Sequence, residues 1–470
     1  MKAFLKRLAG FSLGSLVGAV ISVLQIPLMT RLMAQGDYGT FSLFKTILFQ
    51  IPVLLCVGLD QAFVREYHSK DHKIHVFQQA ILIPLGVAGL FFLATVFFYR
   101  PISQYLFQNP NERLLVLLGG LWCVMGVLER FIFLIVRMAE QAVRYSKIAI
   151  VIKLSIFLCT MLFLLLGWRT YFGAILGLLL GELAVDFYLL YRHRAYFDFS
   201  GFEMDWPLLR RMVLYGTPLV LLVGLQAGLN TMDNLFLHRF ASRDQLGIYN
   251  VGRGIVNLFS IVTTAFSNFW VPTALRWYDS DREMKHFSFI SDALLLVLTG
   301  VYLVVMLVSP GVRLVLGDQY QGVAGILGLL SISPIMLILS EITTLGIIFQ
   351  RKTQYNLLIS AITIIPTFLV NMTLTPVIGY RGAAIAQATS FIVYYLARTY
   401  FSRRCGFRID QKKQVLTVTL MVGTGIYFAL GLPWRFAFLA GITLVEVLIQ
   451  WPTIRTAREI RQGQGSWDFE

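Results

Sequence analysis

Apolar stretches of about 20 residues recur along the whole chain, and they constrain its fold more than any other feature. A helix of that length crosses a hydrocarbon core of roughly 30 Å. Because lipid cannot form hydrogen bonds with the backbone, a single apolar segment must form them within itself, as a helix does. The chain is 57% hydrophobic and only 14% charged, whereas globular domains are about 25% charged. We therefore expect an all-α integral membrane protein without a soluble domain.

The apolar stretches predict about fourteen transmembrane helices. The first follows Lys2, Lys6 and Arg7, as in a signal peptide, but it runs past signal length and meets no small-residue cleavage site, so we expect a retained helix. The predicted spans are residues 8–30, 40–62, 76–99, 114–137, 148–168, 171–191, 212–236, 247–271, 288–309, 323–349, 355–375, 381–401, 414–431 and 434–451.

The net charge of +15 does not indicate nucleic-acid binding, because the basic residues separate the apolar stretches and form no single patch. Lys and Arg are enriched in the cytoplasmic loops of membrane proteins. With the N-terminus inside, 27 of the 40 Lys and Arg residues lie in cytoplasmic segments and nine in outer segments. Both termini are therefore predicted to be cytoplasmic.

The chain contains an internal repeat with a nearly constant offset of 208 to 211 residues. The matching pairs are Arg31 with Arg239, Gly39 with Gly247, Lys45 with Arg253, Arg65 with Arg276, Pro101 with Pro310, and Gly173 with Gly382. Because six helices separate the copies, we predict two parallel-related six-helix bundles, at 1–198 and 199–405, followed by two extra helices and a cytoplasmic tail at 406–470. Two facing bundles would leave a central cavity that opens to alternate sides.

Charged residues inside membrane helices are costly and therefore mark candidate functional sites. Lys45 and Arg253 occupy equivalent repeat positions, and two cations facing one cavity suit a pyrophosphate group; the alternative is that both side chains reach the outer interface. Arg31 and Arg239 are further substrate-binding candidates, for which simple interfacial anchoring is the favoured alternative. Asp233 is a single acidic candidate in helix 7.

Other charges suggest a gate or a paired structural role. Arg130 lies inside helix 4 beside Glu129, and either it binds substrate or it neutralises a carboxylate. Asp60, Arg65 and Arg276 are candidates for a cytoplasmic gate. A purely structural ion pair is the favoured alternative for them.

Glu182 and Asp186 are spaced i, i+4 and so share one face of helix 6. Two like charges so close favour retention of a proton, which makes the pair a candidate for ion coupling. Pairing with Arg192 or with an arginine of a neighbouring helix is the alternative. Glu341 in helix 10 is a similar single candidate.

Motifs of enzymes and of metal or cofactor sites are nearly absent. The sequence has no Gly-x-x-x-x-Gly-Lys loop, no His-Glu-x-x-His and no Gly-x-Ser-x-Gly. Its four cysteines have no paired spacing. The triplet Asp279-Ser280-Asp281 could imitate a glycosyltransferase metal motif, but a solvated turn is the better interpretation. We expect no enzyme and no cofactor; H⁺ or Na⁺ remains a candidate coupling ion.

Short motifs at 38–41, 58–67, 233–234, 247–250 and 379–386 resemble the polysaccharide transport branch of the multidrug/oligosaccharidyl-lipid/polysaccharide exporter superfamily. The chain is similar to the Wzx-type O-antigen and exopolysaccharide flippases. The resemblance implies an undecaprenyl-pyrophosphate-linked oligosaccharide that alternating access moves to the periplasmic leaflet of a bacterial inner membrane, for lipopolysaccharide or exopolysaccharide synthesis. Membrane lipids and other polysaccharide assembly proteins are the further partners it suggests.

Three alternatives accompany this prediction. A lipid II flippase shares the fold, fourteen helices and an arginine-lined cavity. A multidrug antiporter usually has twelve helices, and its cationic substrates favour acidic residues. A membrane-embedded polymerase, ligase or glycosyltransferase typically has a large outer loop, whereas every outer loop predicted for this chain is short.

Overall fold

The computed structural model describes residues 2–67, 73–279, 284–350, 352 and 354–462, with side chains from residue 17 onward except at 260, 261, 264, 265, 268, 279 and 461. Within these limits the chain is helical and contains no strand. Residues 280–283 lie outside the described residues, and the acidic triplet at 279–281 lies there in part.

Nine helices begin in the first half of the described chain. They are α1 (Lys2–Leu32), α2 (Gln35–Leu55), α3 (Leu59–Glu66), α4 (Lys73–Phe97), α5 (Tyr99–Phe107), α6 (Arg113–Met138), α7 (Ala142–Leu165), α8 (Tyr171–Arg192) and α9 (Trp206–Phe240).

Ten helices follow in the second half. They are α10 (Arg243–Val256), α11 (Phe259–Asp279), α12 (Met284–Val308), α13 (Val312–Leu316), α14 (Gln321–Thr343), α15 (Leu345–Phe349), α16 (Tyr355–Ile378), α17 (Tyr380–Arg404), α18 (Lys412–Leu430) and α19 (Arg435–Arg461).

Eleven helices in the described part of the chain are long and apolar enough to cross a membrane. The prediction of an all-α membrane protein is thus confirmed. Each of the fourteen predicted spans coincides with one helix or with two successive helices. The number of membrane crossings stays a prediction.

Several predicted helices differ from the observed ones. The span 40–62 is broken, because Val57 and Gly58 adopt positive φ angles of 50° and 72° that end α2. The spans 247–271 and 323–349 are each divided as well, after Val256 and after Thr343. An apolar run sets the length of a crossing, but it does not reveal where the backbone changes direction.

The order of helices repeats along the chain. α4 and α12 each have 25 residues, and α7 and α16 each have 24. In both halves the second predicted span is divided into two helices. The chain divides into two compact units, residues 1–234 and 235–470, which are called the N-terminal and C-terminal units below. The predicted domain limits at 198 and 405 stay predictions.

Each unit has an aromatic core. In the N-terminal unit, Phe63 of α3 meets Phe77 of α4 and Phe131 of α6 with ring centroids 6.0 and 6.1 Å away. In the C-terminal unit, Trp270 and Phe287 belong to one buried cluster. Edge-to-face and tilted ring contacts of this kind add to the stabilisation that burial of the rings provides.

Gly58→Ala is expected to destabilise the N-terminal unit. A Cβ atom at Gly58 would lie 2.3 Å from the carbonyl oxygen of Gly216 in α9, and the φ of 72° costs an L-residue about 1–2 kcal/mol by itself. Thermal unfolding of the detergent-solubilised protein measures the effect. Gly224→Ala on α9 is the matched control, because a Cβ atom there meets nothing within 4 Å. Equal melting temperatures for the two variants would contradict the prediction.

Candidate functional site

Five charged side chains meet inside the N-terminal unit. α2 contributes Lys45, α6 contributes Glu129, α7 contributes Lys153, and α8 contributes Glu182 and Asp186. Glu129 faces Asp186, Glu182 and Lys153, and Lys45 lies within electrostatic reach of Lys153 and Glu182. We call these five residues the charged cluster.

Small residues on α8 bring the acidic side chains close to α7. A Cβ atom at Gly181 would lie 2.8 Å from the carbonyl oxygen of Ser155, so only glycine allows this approach. The Ser155 hydroxyl donates a hydrogen bond of 2.6 Å to the Gly181 carbonyl. The contact fixes the height of α8 against α7 directly beside Glu182.

The acids of α8 are buried and incompletely satisfied. Glu182 is 4% exposed and Asp186 is 3% exposed. Oε2 of Glu182 and both carboxyl oxygens of Asp186 have no partner in hydrogen-bond geometry, although Glu129 faces Asp186. The indole Nε1 of Trp122, on α6, is buried beside Glu182. Buried polar atoms normally have hydrogen-bond partners, so the two carboxyl groups of α8 are an exception.

A cavity of about 510 Å³ adjoins the charged cluster. Trp122, Glu129, Lys153 and Glu182 line it, together with Gly18 and its neighbours on α1. Lys153 also lies 5.4 Å from the centroid of the Phe49 ring. The cavity is therefore lined by both apolar and charged side chains.

Arg130 and Asp60 form an ion pair within the same unit. Nε and Nη2 of Arg130 donate to Oδ2 of Asp60 at 2.9 and 2.6 Å. Arg130 thus neutralises a carboxylate of α3 instead of the adjacent Glu129. Arg65 does not join this pair; its guanidinium lies 4.6 Å from the ring centroid of Tyr215. This geometry is consistent with the alternative that Asp60 and Arg130 form a structural ion pair.

The C-terminal unit has a different pair on its corresponding helices. Nη1 of Arg398, on α17, donates to Oε1 of Glu341, on α14, at 3.0 Å. Ser267 donates to the other carboxyl oxygen at 3.2 Å, and the guanidinium lies 5.0 Å from the Tyr394 ring centroid. Glu341, a candidate for ion coupling, is thus held in a complete ion pair.

The remaining candidates differ in their exposure and lie in both units. Arg31, Arg239 and Arg276 are exposed, Arg253 is half-buried, and Asp233 is buried. Arg253 and Arg276 belong to the C-terminal unit, whereas Arg31 and Asp233 belong to the N-terminal unit. The structure thus brings Lys45, Glu182 and Asp186 together and places Arg130 in the wall of the adjoining cavity.

Sequence analysis does not predict three residues of these sites. The sequence places Glu129 beside Arg130 but does not indicate that it faces α8, and it does not single out Lys153 or Arg398. Arg398 lies inside α17. These three residues could have been identified from the sequence because each is a charged residue within a long apolar helix that is followed or preceded by a helix with a residue of opposite charge.

Comparison with known proteins identifies the family. A family model described as polysaccharide biosynthesis protein matches residues 4–278, more than half of the chain. The chain belongs to this family. A comparison with curated protein sequences finds no match.

Solved structures with the same fold are transporters. The lipid II flippase MurJ in an inward closed conformation superimposes with a TM-score of 0.69 at 12% identity, covering 96% of this chain and 98% of that one. A multidrug resistance MATE family transporter in an inward-facing conformation gives 0.60 at 14%, covering 83% and 98%. A MOP superfamily transporter from Pyrococcus furiosus gives 0.54 at 13%, covering 85% and 96%.

Together these matches confirm the superfamily that the sequence motifs indicated. This polysaccharide biosynthesis protein is a multi-pass membrane transporter of the multidrug/oligosaccharidyl-lipid/polysaccharide exporter superfamily, not an enzyme.

Proposed function

We propose that this protein flips an undecaprenyl-pyrophosphate-linked oligosaccharide from the cytoplasmic to the periplasmic leaflet of a bacterial inner membrane. The observation that carries the proposal is the combination of a polysaccharide biosynthesis family with the fold of a lipid II flippase over 96% of the chain. The family supports a sugar-containing substrate, and the similarity to a lipid II flippase supports the transport of a lipid-linked one. Alternating access between the two halves is the proposed mode of transport.

Cations inside membrane helices support an anionic substrate. Lys45 and Arg253 lie at equivalent repeat positions in α2 and α10, and neither side chain is fully exposed. Arg and Lys bind phosphate oxygens through charge-assisted hydrogen bonds that are about twice as strong as neutral ones. We propose that these two residues hold the pyrophosphate, with Arg31 and Arg239 as further contacts and Asp233 facing the sugar.

The distribution of positive charge supports the proposed orientation. Basic residues cluster where α8 ends and α9 begins and where α17 ends and α18 begins, and both places lie on the predicted cytoplasmic side. They are Arg192, Arg194, Arg210, Arg211, Arg403, Arg404, Arg408, Lys412 and Lys413. We propose that both termini are cytoplasmic and that the substrate enters from that side.

A strain that lacks this protein is expected to accumulate complete lipid-linked repeat units in the cytoplasmic leaflet and to lose its surface polysaccharide. The measurement is the accessibility of radiolabelled lipid-linked sugar to a membrane-impermeant oxidant in spheroplasts. Plasmid-borne wild-type protein should restore export. Repeat units that reach the periplasmic leaflet but remain unpolymerised would exclude a flippase and favour the polymerase or ligase alternative.

Lipid II is a second candidate substrate, because the MurJ superposition extends over nearly the full length of both chains. Rescue of a strain depleted of its lipid II flippase distinguishes the two substrates. We expect no rescue, since the family match is to polysaccharide biosynthesis. Rescue of growth would make lipid II the better assignment.

A further inference from the structure

The loop that follows α17 is held in place by its own hydrogen bonds and by two buried apolar residues. Gly406 ends the helix with a φ of 90°, and its N–H donates to the carbonyl oxygen of Arg403. The N–H of Phe407 donates to the carbonyl oxygen of Ser402. This pair of bonds is the Schellman arrangement, which caps a helix and turns the chain. Phe407 and Ile409 then join the buried aromatic cluster of the C-terminal unit, so the loop is fixed against it.

This loop and the last turn of α17 present three arginine side chains to one cavity. Arg403 and Arg404 form the last turn of the helix. Arg408 lies between two buried residues of the loop, and its side chain is exposed. The cavity has a volume of about 590 Å³. Its other lining residues are Tyr400, Ile409 and Asp410. We call it the arginine pocket.

The arginine pocket has more positive than negative charge. Its lining contains three guanidinium groups and one carboxylate, that of Asp410, whose Oδ1 accepts the backbone N–H of Lys412 at 3.1 Å. In the described part of the chain, none of the three arginines forms an ion pair with a carboxylate. Lys413, only a few residues further along, does pair with Asp292, at 2.6 Å. The three arginines can therefore bind an external anion.

Two of the guanidinium groups are oriented by contacts inside the pocket. Nη2 of Arg403 donates to the carbonyl oxygen of Ile409 at 3.3 Å. The guanidinium of Arg404 lies 4.9 Å from the centroid of the Tyr400 ring. A guanidinium has five N–H donors, so each contact leaves others for a ligand. Planar guanidinium groups bind phosphate oxygens through paired, charge-assisted hydrogen bonds. A phosphate group is therefore the ligand chemistry that suits the pocket.

The surroundings of the pocket indicate the phosphate of a lipid headgroup. The side chain of Tyr400 is 51% exposed, and tyrosine is enriched where membrane helices meet the headgroups. Leu396 lies one turn earlier on the same face of α17 and is exposed. Val415 and Leu416, near the start of α18, are exposed as well. Apolar side chains thus lie deeper in the membrane than the arginines, where they can contact the acyl chains of a bound lipid.

We propose that the arginine pocket binds the phosphate of an anionic phospholipid from the leaflet at this end of α17 and α18, which is the cytoplasmic leaflet in the proposed orientation. Basic pockets at the cytoplasmic ends of membrane helices attract anionic headgroups. A zwitterionic phospholipid has an ammonium group that the arginines repel, so the pocket selects lipids such as phosphatidylglycerol. The proposal does not depend on which substrate the protein transports.

Lipid titration followed by native mass spectrometry tests the proposal with the full-length protein. The purified protein is delipidated in detergent and titrated with dioleoylphosphatidylglycerol, and dioleoylphosphatidylcholine is the zwitterionic comparison with the same acyl chains. The wild-type protein is expected to bind the first phosphatidylglycerol about 10-fold more tightly than the first phosphatidylcholine. Arg404→Gln/Arg408→Gln is expected to weaken phosphatidylglycerol binding about 30-fold, the combined effect of two arginines near a lipid anion.

Two further variants separate the pocket from general charge and from misfolding. Arg455→Gln/Arg458→Gln is the matched control, because it removes two exposed arginines of α19 on the same predicted side of the membrane and outside the pocket. Arg404→Lys/Arg408→Lys keeps both charges and is expected to retain most of the binding. Equal phosphatidylglycerol affinity in the wild type and Arg404→Gln/Arg408→Gln overturns the proposal, and so does an equal loss in the α19 control.

Two competing anions distinguish the source of the phosphate. An equimolar amount of inorganic phosphate is expected to leave the bound phosphatidylglycerol in place, and so is an equimolar amount of undecaprenyl phosphate. Displacement by inorganic phosphate would show that the pocket holds a free anion. Displacement by undecaprenyl phosphate would assign the pocket to the polyprenyl carrier. Either displacement overturns the phospholipid assignment.

Discussion

Lys45→Ala and Arg253→Ala are each expected to abolish polysaccharide export while leaving the amount of protein in the membrane unchanged. Loss of a charge-assisted hydrogen bond costs about 1.5–3 kcal/mol, which corresponds to a fall in transport of about 10- to 100-fold. Lys45→Ala also removes one of the two bases that balance the charged cluster, whose Glu182 lies within reach of Lys45. Surface polysaccharide in the complemented deletion strain is the measurement.

Two control variants distinguish the loss of a positive charge at position 45 from a general effect on the structure. Lys45→Arg keeps the positive charge and is expected to retain part of the export. Lys147→Ala, at an exposed position of α7, is the control for removing a lysine from this unit. Normal surface polysaccharide in both Lys45→Ala and Arg253→Ala would remove the paired cations from the mechanism.

The helices could be predicted from the sequence because lipid imposes one simple requirement on each crossing. Each crossing needs an apolar segment of about 20 residues. The segments of that kind in the sequence coincide with observed helices. The breaks could not be predicted in the same way. Val57 is an apolar residue with a φ of 50°, and its conformation depends on tertiary contacts, such as the close approach of Gly58 to Gly216.

The candidate site could be predicted only in part. Spacing along one helix showed that Glu182 and Asp186 share a face, but it did not show which residues face them from other helices. The structure places Glu129 and Lys153 there, where an arginine had been the alternative partner. The basic residues that follow Arg398 made it resemble part of a loop, so its pairing with Glu341 was not predicted.

Arg130→Ala is expected to destabilise the N-terminal unit by about 3 kcal/mol, because it leaves Asp60 buried without a counter-charge. The side chain of Asp60 is 5% exposed, and that of Arg130 is 34% exposed, which places the cost at the lower end of the range for buried pairs. Thermal unfolding in detergent measures it, with Arg137→Ala, at an exposed position of α6, as the control.

The double variant Asp60→Asn/Arg130→Ala separates a structural pair from a substrate contact. If the two residues only neutralise each other, removing both charges is expected to be less destabilising than Arg130→Ala alone, since no charge is left buried and unpaired. Export should then recover together with stability. An Arg130→Ala protein that melts like the wild type but fails to export would instead show that the guanidinium acts on the substrate, which is the other role predicted for Arg130 from the sequence.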